Sequence, residues 1–233
     1  MPLVVLLGGC MSIDTIESSE ISASRLHGVY TATYEQADRT LTLGAEFRVG
    51  GRTGTTVRLV PPAQITVDGQ HMREYKALGT HYSLERRISA SDLPYEVVFV
   101  WTRADGEAFT NRVELPSSAR IVEPAPRSAH SRLEDLIIVF ADYTPVRGEK
   151  ITVKIKGRRA AAEGVRSHSV RQTYPASGRV RVLTDELRGF MAGSATVSVT
   201  RHITRSDASG HDVDGGRLVA TYEAQPIEIG LTD

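Results

Sequence analysis

The chain has 233 residues, enough for one large domain or two smaller ones, and 40% of them are hydrophobic, which suffices for a buried core. Its 28 basic and 28 acidic residues give a formal net charge of +0, so the sequence lacks the basic excess typical of nucleic-acid-binding proteins. A single cysteine excludes a framework of intramolecular disulfides and a cysteine-rich zinc site.

The first apolar run, LVVLLGGC, ends at that single cysteine. Its last four residues, Leu7-Gly8-Gly9-Cys10, resemble the lipobox of bacterial lipoproteins. The resemblance implies that residues 1–9 are a signal segment, that diacylglycerol joins the Cys10 sulfur, and that cleavage leaves Cys10 first. No Lys or Arg precedes Cys10, so we expect the natural leader to be longer. The alternative is a cytosolic protein whose first strand is residues 2–7.

Residues 10–26 comprise the lipidated cysteine and a polar segment, which we predict to be a flexible tether. Met11 follows the cysteine, and by the same resemblance the lack of an aspartate there favours the outer membrane. Two or more acyl chains make such anchoring stable. The sequence therefore predicts a lipid-anchored protein of the bacterial cell envelope, with the membrane as one partner.

Residues 27–122 alternate apolar and polar side chains with a period of two, as in TLTLGAEFRV, which predicts strands. The dipeptides Asp68-Gly69 and Asp105-Gly106 each predict a tight type I′ hairpin. The glycine-rich stretch VGGRTGTTV predicts a loop with positive φ, because no Lys follows it as a P-loop requires. Trp101 has the parity of Val97 and Phe99, which favours a core position over an exposed carbohydrate-stacking platform.

Proline and small polar residues at 123–131 predict a linker, and alternation resumes from 132 to 233. In EKITVKIKG the isoleucines and valine face one way, and Lys154 and Lys156 the other. RAAAEGVR (159–166) predicts a short helix or a loop, and TDELRGF a helical turn capped by Thr184.

The fold class that this pattern predicts is all-β, with two tandem antiparallel β-sandwiches after the signal and tether segment. An N-terminal sandwich would occupy residues 27–122 and a C-terminal sandwich residues 132–233. Both resemble immunoglobulin- or fibronectin-type modules in a generic way, and the resemblance carries no functional motif.

Metal and catalytic signals are weak. The loop RSDASGHDVDGG holds Asp207, Asp212 and Asp214 beside His211, which leaves a cation site open as the alternative to a solvated loop. The seven histidines include no His-x-His or His-Glu-x-x-His pattern, so we predict no zinc site and no cofactor. Neither Gly-x-Ser-x-Gly nor Ser-x-x-Lys occurs, so we predict no catalytic residues.

The function that we predict is non-enzymatic binding or assembly by a membrane-anchored envelope lipoprotein with two β-sandwich modules. Its partner would be an unknown envelope protein or a glycan, with no role for nucleic acid. Two alternatives remain at this point. One is an envelope hydrolase acting on polysaccharide or peptide, and the other is a chaperone-like subunit that binds a strand at an exposed sheet edge.

Overall fold

The structure is a computed structural model that describes residues 15–22, 25–76, 79–161, 164–211 and 215–233. It is nearly all β, with 59% of the residues in strands and 5% in helices, which confirms the predicted fold class. Within the described ranges, no helix has the length and apolar character needed to cross a bilayer.

Nineteen strands and one short α-helix make up the described fold. In chain order they are β1 (Thr15–Glu17), β2 (Leu26–Glu35), β3 (Thr40–Val49), β4 (Thr55–Arg58), β5 (Gln64–Val67), β6 (Gln70–His71), β7 (Arg73–Tyr75), β8 (His81–Arg87), β9 (Glu96–Thr102), β10 (Ala108–Glu114), β11 (Arg120–Glu123), β12 (Ala129–Ser131), β13 (Leu136–Ala141), β14 (Lys150–Ala161), β15 (Gly164–Pro175), β16 (Arg179–Val182), α1 (Thr184–Leu187), β17 (Gly193–Arg205), β18 (Gly216–Glu223) and β19 (Ile227–Thr232).

Twelve of these strands form one large sheet, whose main path runs β1-β4-β3-β2-β18-β17-β14-β15. Strand β8 joins β3, with β7 beside it, and β19 joins β17, with β12 beside it. Two small sheets, β10-β9-β5-β6 and β11-β13-β16, complete the structure. Buried side chains from all three sheets form one hydrophobic cluster, because the apolar residues of the alternating strands face the same interior.

The predicted count of two domains is not confirmed, because strands from both sides of residues 123–131 belong to the large sheet. Strand β2 pairs in parallel with β18 over eight residues, from Gly28 opposite Gly216 to Glu35 opposite Glu223. The predicted purely antiparallel arrangement is therefore wrong for this sheet, which is mixed. The predicted linker also contributes to sheets, since Glu123 ends β11 and β12 pairs with β19.

One of the two predicted hairpin turns is confirmed and the other is offset. Asp68 and Gly69 have φ values of 47° and 77°, as a type I′ turn requires. At the second site only Gly106 has a positive φ, of 87°. The Gly106 amide donates to the Arg103 carbonyl at 3.0 Å, so the turn spans residues 103–106 and the type I′ prediction is wrong there.

Part of the predicted flexible tether belongs to the fold. Strand β1 pairs in parallel with β4, and Glu17 forms an ion pair with Arg58. The Ser18 hydroxyl accepts a hydrogen bond from the Val60 amide at 2.9 Å. The tether prediction is therefore wrong for residues 15–18, which are bound to the body through these contacts.

Two local predictions, at residues 159–166 and at Thr184, differ from the structure. Instead of the predicted helix or loop at 159–166, β14 continues to Ala161 and β15 begins at Gly164. Helix α1 begins at Thr184 as expected, but the Thr184 side chain does not cap it. Asp135 accepts hydrogen bonds from both the Thr184 amide and hydroxyl at 2.7 Å, so the capping acceptor comes from a distant loop.

Candidate functional site

Most of the residues predicted as sites from the sequence fall outside the part of the chain that the structure describes. Cys10, Asp212 and Asp214 lie outside the described residues. Asp207 is exposed, and its backbone forms an isolated bridge to Gly216. Within the described ranges, no three His, Cys, Asp or Glu side chains are placed to share a metal ion.

His211, from the predicted cation loop, is a core residue. Its Nδ1 lies 2.8 Å from the Leu26 carbonyl and its Nε2 lies 3.0 Å from the Tyr30 hydroxyl. Nδ1–H therefore donates to Leu26, and Nε2 accepts from Tyr30, whose pKa is raised by burial so that it keeps its proton. A Cβ at Gly28 would lie 2.1 Å from Nε2, so the strand must carry glycine there.

Trp101 is a core residue as predicted, with 1% of its surface exposed. Its ring stacks on His211 with centroids 4.9 Å apart and an interplanar angle of 2°, and Phe109 stacks at 5.5 Å. Because these two rings are engaged with the indole, the alternative of a carbohydrate-stacking platform is wrong.

The strongest buried polar contact joins Arg201 of β17 to Glu149, whose side chains are 1% and 0% exposed. Arg201 Nε lies 2.5 Å from Glu149 Oε1, and Nη2 lies 3.0 Å from Oε2, which makes the pair bidentate. The remaining donors reach the carbonyls of Ser117 and Thr144. The Tyr143 ring lies 4.5 Å from the guanidinium carbon. This group holds three distant segments together.

A surface pocket of about 570 Å³ is lined by Asp135 and by Arg181 of β16. Asp135 Oδ1 accepts from Thr184, and Oδ2 accepts from Arg181 Nε at 2.6 Å. The Thr184 hydrogen bonds, followed by the Arg181 contact, lower the pKa of Asp135 to about 2. A carboxyl group that stays ionised at neutral pH does not serve as a general acid.

The hairpin of β14 and β15 carries a different kind of surface, which we term the cationic face. Ile151, Val153 and Ile155 point into the core, so the alternate residues of β14 point outward. Over residues 152–158 and 167–173 the outward positions carry cations or hydroxyls. They are Thr152, which is buried, Lys154, Lys156 and Arg158 on β14 and Ser167, Ser169, Arg171 and Thr173 on β15. On the same side the hairpin continues with Lys150 and Ala160 on β14 and with Pro175 on β15.

Cross-strand register sets the geometry of the cationic face. Lys154 lies directly opposite Arg171, Lys156 opposite Ser169, and Arg158 opposite Ser167. The Thr152 and Thr173 hydroxyls lie 3.1 Å apart, which confirms that both strands present these side chains to one side. Like charges directly opposite each other destabilise a strand pair. The Lys154–Arg171 pair therefore lowers the stability of the hairpin, and no contact described for either side chain compensates for this loss.

Charge is concentrated in this hairpin. From Lys150 to Pro175 the sequence has seven Lys and Arg residues and one acid, a local charge of +6, so the rest of the chain carries −6. Lys154, Lys156, Arg158 and Arg171 form no ion pair with any residue that the structure describes. Ten arginines elsewhere do pair with a carboxylate, namely Arg48, Arg58, Arg86, Arg103, Arg112, Arg132, Arg181, Arg188, Arg201 and Arg205.

The opposite end of the same outer surface is acidic. Glu223 of β18 lies opposite Glu35 of β2, and Glu85 of β8 lies two positions away across β3. Burial, together with the charges of Glu223 and Asp38, raises the pKa of Glu35. The outer side of the sheet is therefore cationic at β14–β15 and carries three carboxylates, Glu223, Glu35 and Glu85, on β18, β2 and β8. Arg217 of β18 and Arg87 of β8 lie on this side as well.

Sequence reasoning missed the cationic face although part of its signal was visible. The alternation in EKITVKIKG placed Lys154 and Lys156 on one side, as the structure confirms. The position of Arg171 beside Lys154 follows only from the register of the β14–β15 hairpin. The sequence prediction placed a helix or loop at 159–166, so it did not pair these two strands. A local charge count over 150–175 would have found the +6 segment that the whole-chain value of +0 conceals.

No protein-family model matches the chain, and no curated protein matches it. Solved structures with detectable similarity include modules of the immunoglobulin and fibronectin types. Fibronectin(III)-like modules of Clostridium thermocellum CbhA share 13% identity over 88% of this chain and 92% of theirs, with a TM-score of 0.26. The chicken CNTN1 FN1-FN3 domains share 12% identity over 87% of this chain and 65% of theirs, with a TM-score of 0.26.

A tetra-tandem repeat from the extending region of a large adhesion protein shares 13% identity over 87% of this chain and 50% of that chain, with a TM-score of 0.24. TM-scores of this size carry no argument about function. The architecture therefore rests on the sheet topology described above, and the functional reasoning rests on the chain's own residues.

Proposed function

We propose that this protein is a non-enzymatic binding protein of the bacterial cell envelope, anchored through a lipid on Cys10. It contacts its partner through the cationic face. The observation that carries the proposal is the group of cations at Lys154, Lys156, Arg158 and Arg171, none of which pairs with a described acid. A charged surface of one sign, with no counter-ion among the described residues, is suited to an anionic partner.

A purely structural role accounts for only part of this group. Charged side chains on an edge strand protect its free backbone groups from pairing with another chain, and Arg171 lies on such a strand. Lys154, Lys156 and Arg158 lie on β14, which β15 and β17 pair with on its two sides. Because β14 is not an edge strand, protection of an edge does not explain these three cations, and we assign them to binding.

The position of the anchor agrees with a contact surface that faces away from the membrane. Four residues separate Cys10 from Thr15, the first residue of β1, so the lipid would attach within about 18 Å of that strand. Strands β1 and β15 end the main path of the sheet on opposite sides. Measured along the twisted sheet, six and seven strand spacings of about 4.8 Å separate β1 from β14 and β15.

Cys10→Ser in the precursor tests the anchor. We expect the variant to lose labelling by a fatty-acid analogue and to leave the membrane fraction, because only the thiol forms the thioether. A Met11→Ser variant is the matched control and should be labelled like the wild type. Labelling of Cys10→Ser at the wild-type level would contradict the anchor.

Sedimentation with isolated envelope fragments tests the binding role, using the full chain with Cys10→Ser so that the lipid does not contribute. Lys154→Glu/Arg171→Glu should reduce the bound fraction. Arg52→Glu/Arg87→Glu makes the same charge change at exposed positions outside the hairpin and should bind like the wild type. Equal binding by both double variants would contradict the proposed contact surface.

A second candidate function has its own observation. Strand β15 is twelve residues long and pairs only with β14 among the described strands, so one side of it is an open edge. An extended peptide can add to such an edge through backbone hydrogen bonds. This would make the protein a strand-binding subunit, and the ligand comparison below separates the two candidates.

A further inference from the structure

We propose that the cationic face binds an anionic polysaccharide, whose carboxylates pair with Lys154, Lys156, Arg158 and Arg171 while its hydroxyls bond to the intervening serines and threonines. This inference rests on the proposed binding function and names the chemical class of its partner.

The composition of the cationic face matches a polymer that is both charged and rich in hydroxyls. All eight of its outward side chains are Lys, Arg, Ser or Thr. The neighbouring strand β17 extends the surface with Thr196 and Ser198, opposite Lys156 and Lys154. Lysine and arginine form charge-assisted hydrogen bonds with carboxylates, and serine and threonine hydroxyls both donate and accept.

The spacing of the cations suits a ligand that lies along the hairpin. Lys154, Lys156 and Arg158 occupy alternate positions of one strand, which are about 7 Å apart. Arg171 lies one strand away from Lys154, at about 5 Å in the direction across the sheet. Four charges therefore spread over a flat strip, where an extended polymer can meet several of them at once.

A lipid surface fits this strip less well. None of the eight side chains of the cationic face is apolar, and the exposed apolar residues next to them on the same side, Ala160 and Pro175, are small. The strip also lies across the sheet from β1, the described strand nearest to Cys10 in sequence. An anchor at Cys10 would hold the opposite edge of the sheet toward its own membrane.

An acidic peptide added to the open edge fits less well for a different reason. Its side chains would lie beyond β15, opposite Ser167, Ser169, Arg171 and Thr173, so it would meet one of the four cations directly and would lie two strand spacings from the other three on β14. Three of the four cations belong to β14. A polymer lying on the face covers β14 directly, so the placement of the charges favours the face over the edge.

Acids limit where the ligand can lie. Glu223 and Glu35 stand on the same outer side at β18 and β2, and they would repel a carboxylated polymer. The binding strip therefore ends before β18. This predicts a short footprint centred on the hairpin rather than a contact along the whole sheet.

The experiment measures the affinity of the full chain with Cys10→Ser for four probes. They are polygalacturonate, a neutral galactan of matched length, a poly-glutamate peptide and vesicles that contain anionic phospholipid. We expect polygalacturonate to bind at least tenfold more tightly than the other three, with an affinity that falls as salt rises. Lys154→Glu/Arg171→Glu should weaken polygalacturonate binding at least tenfold, and Arg52→Glu/Arg87→Glu should change it less than threefold.

Urea unfolding checks that each variant keeps its fold, and Lys154→Ser/Arg171→Ser provides a milder second variant, for which we expect at least a fivefold loss. Tighter binding of poly-glutamate or of vesicles would overturn the polysaccharide assignment and leave the proposed binding function in place. Failure of all four probes to bind the wild type would overturn both. Equal losses in the hairpin and control variants would show general charge attraction and would overturn the assignment of this face.

Discussion

Arg201 and Arg171 lie two strands apart in one sheet and face opposite sides of it, and they are used in opposite ways. Arg201 is buried, and its guanidinium reaches Glu149 and two backbone carbonyls. Arg171 is exposed, lies opposite Lys154 and pairs with no described acid. The core side of this sheet therefore uses charge to join segments, whereas the outer side at β14–β15 carries cations that pair with no described acid.

The largest expected effect tests the core side of the comparison. Arg201→Met should lower the free energy of unfolding by about 3–5 kcal/mol, because it leaves the Glu149 carboxylate buried without its partner. Urea unfolding measures this change. Arg171→Met is the matched control and should change the value by less than about 0.5 kcal/mol. Equal effects of the two substitutions would remove the contrast between the two sides.

A second test concerns packing on the core side. Gly28→Ala should cost about 1–3 kcal/mol, because the new methyl group meets the His211 ring at 2.1 Å. Gly230→Ala is the matched control, since a Cβ there finds its nearest atom at an ordinary 3.8 Å. Thermal and urea unfolding of both variants give the comparison. A neutral Gly28→Ala would mean that His211 does not pack as described.

A third test uses pH. The hydrogen bonds from Thr184 and the contact with Arg181 lower the folded-state pKa of Asp135 to about 2. Stability from this group is therefore present above its unfolded pKa, near 3.8, and is lost as the pH falls toward 2. Asp135→Asn should be less stable than the wild type at pH 5, and the difference should shrink between pH 4 and pH 2. A difference independent of pH would contradict this account.

The smallest expected effect sharpens the outer side of the comparison. Lys154→Ser should leave the free energy of unfolding unchanged or raise it by up to about 0.5 kcal/mol, because it removes a like-charge pair with Arg171. Arg112→Ser, which breaks the exposed pair with Glu96, should lower it by up to about 1 kcal/mol. Substantial destabilisation by Lys154→Ser would give that residue a structural role.

The sequence allowed the prediction of strands more reliably than of their partners. Alternation located β3 at residues 40–49 and the buried face of β9, because a period of two reports directly which side is apolar. It does not report which strand lies alongside. The pairing of β2 with β18 joins residues that are 188 positions apart, and no local pattern encodes such a contact.

The same limit explains the predicted and missed site residues. His211 drew attention as part of an acidic loop, but its partners Leu26 and Tyr30 are about 180 residues away in sequence. Glu149 and Arg201 each look like ordinary surface charges until the fold buries both. The cationic face depends only on the register of one hairpin between neighbouring strands. Of these three features it is therefore the easiest to predict from sequence alone.

The central claim is that the cationic face binds an anionic partner, and mapping of backbone amide shifts by NMR tests it most directly. Addition of a galacturonate oligosaccharide to the full chain with Cys10→Ser should shift amides within 150–158 and 167–175 and in the adjoining part of β17. The amides around Arg201 and His211 should move little. Shifts centred on β18 and β2, or no shifts at saturating ligand, would contradict the claim.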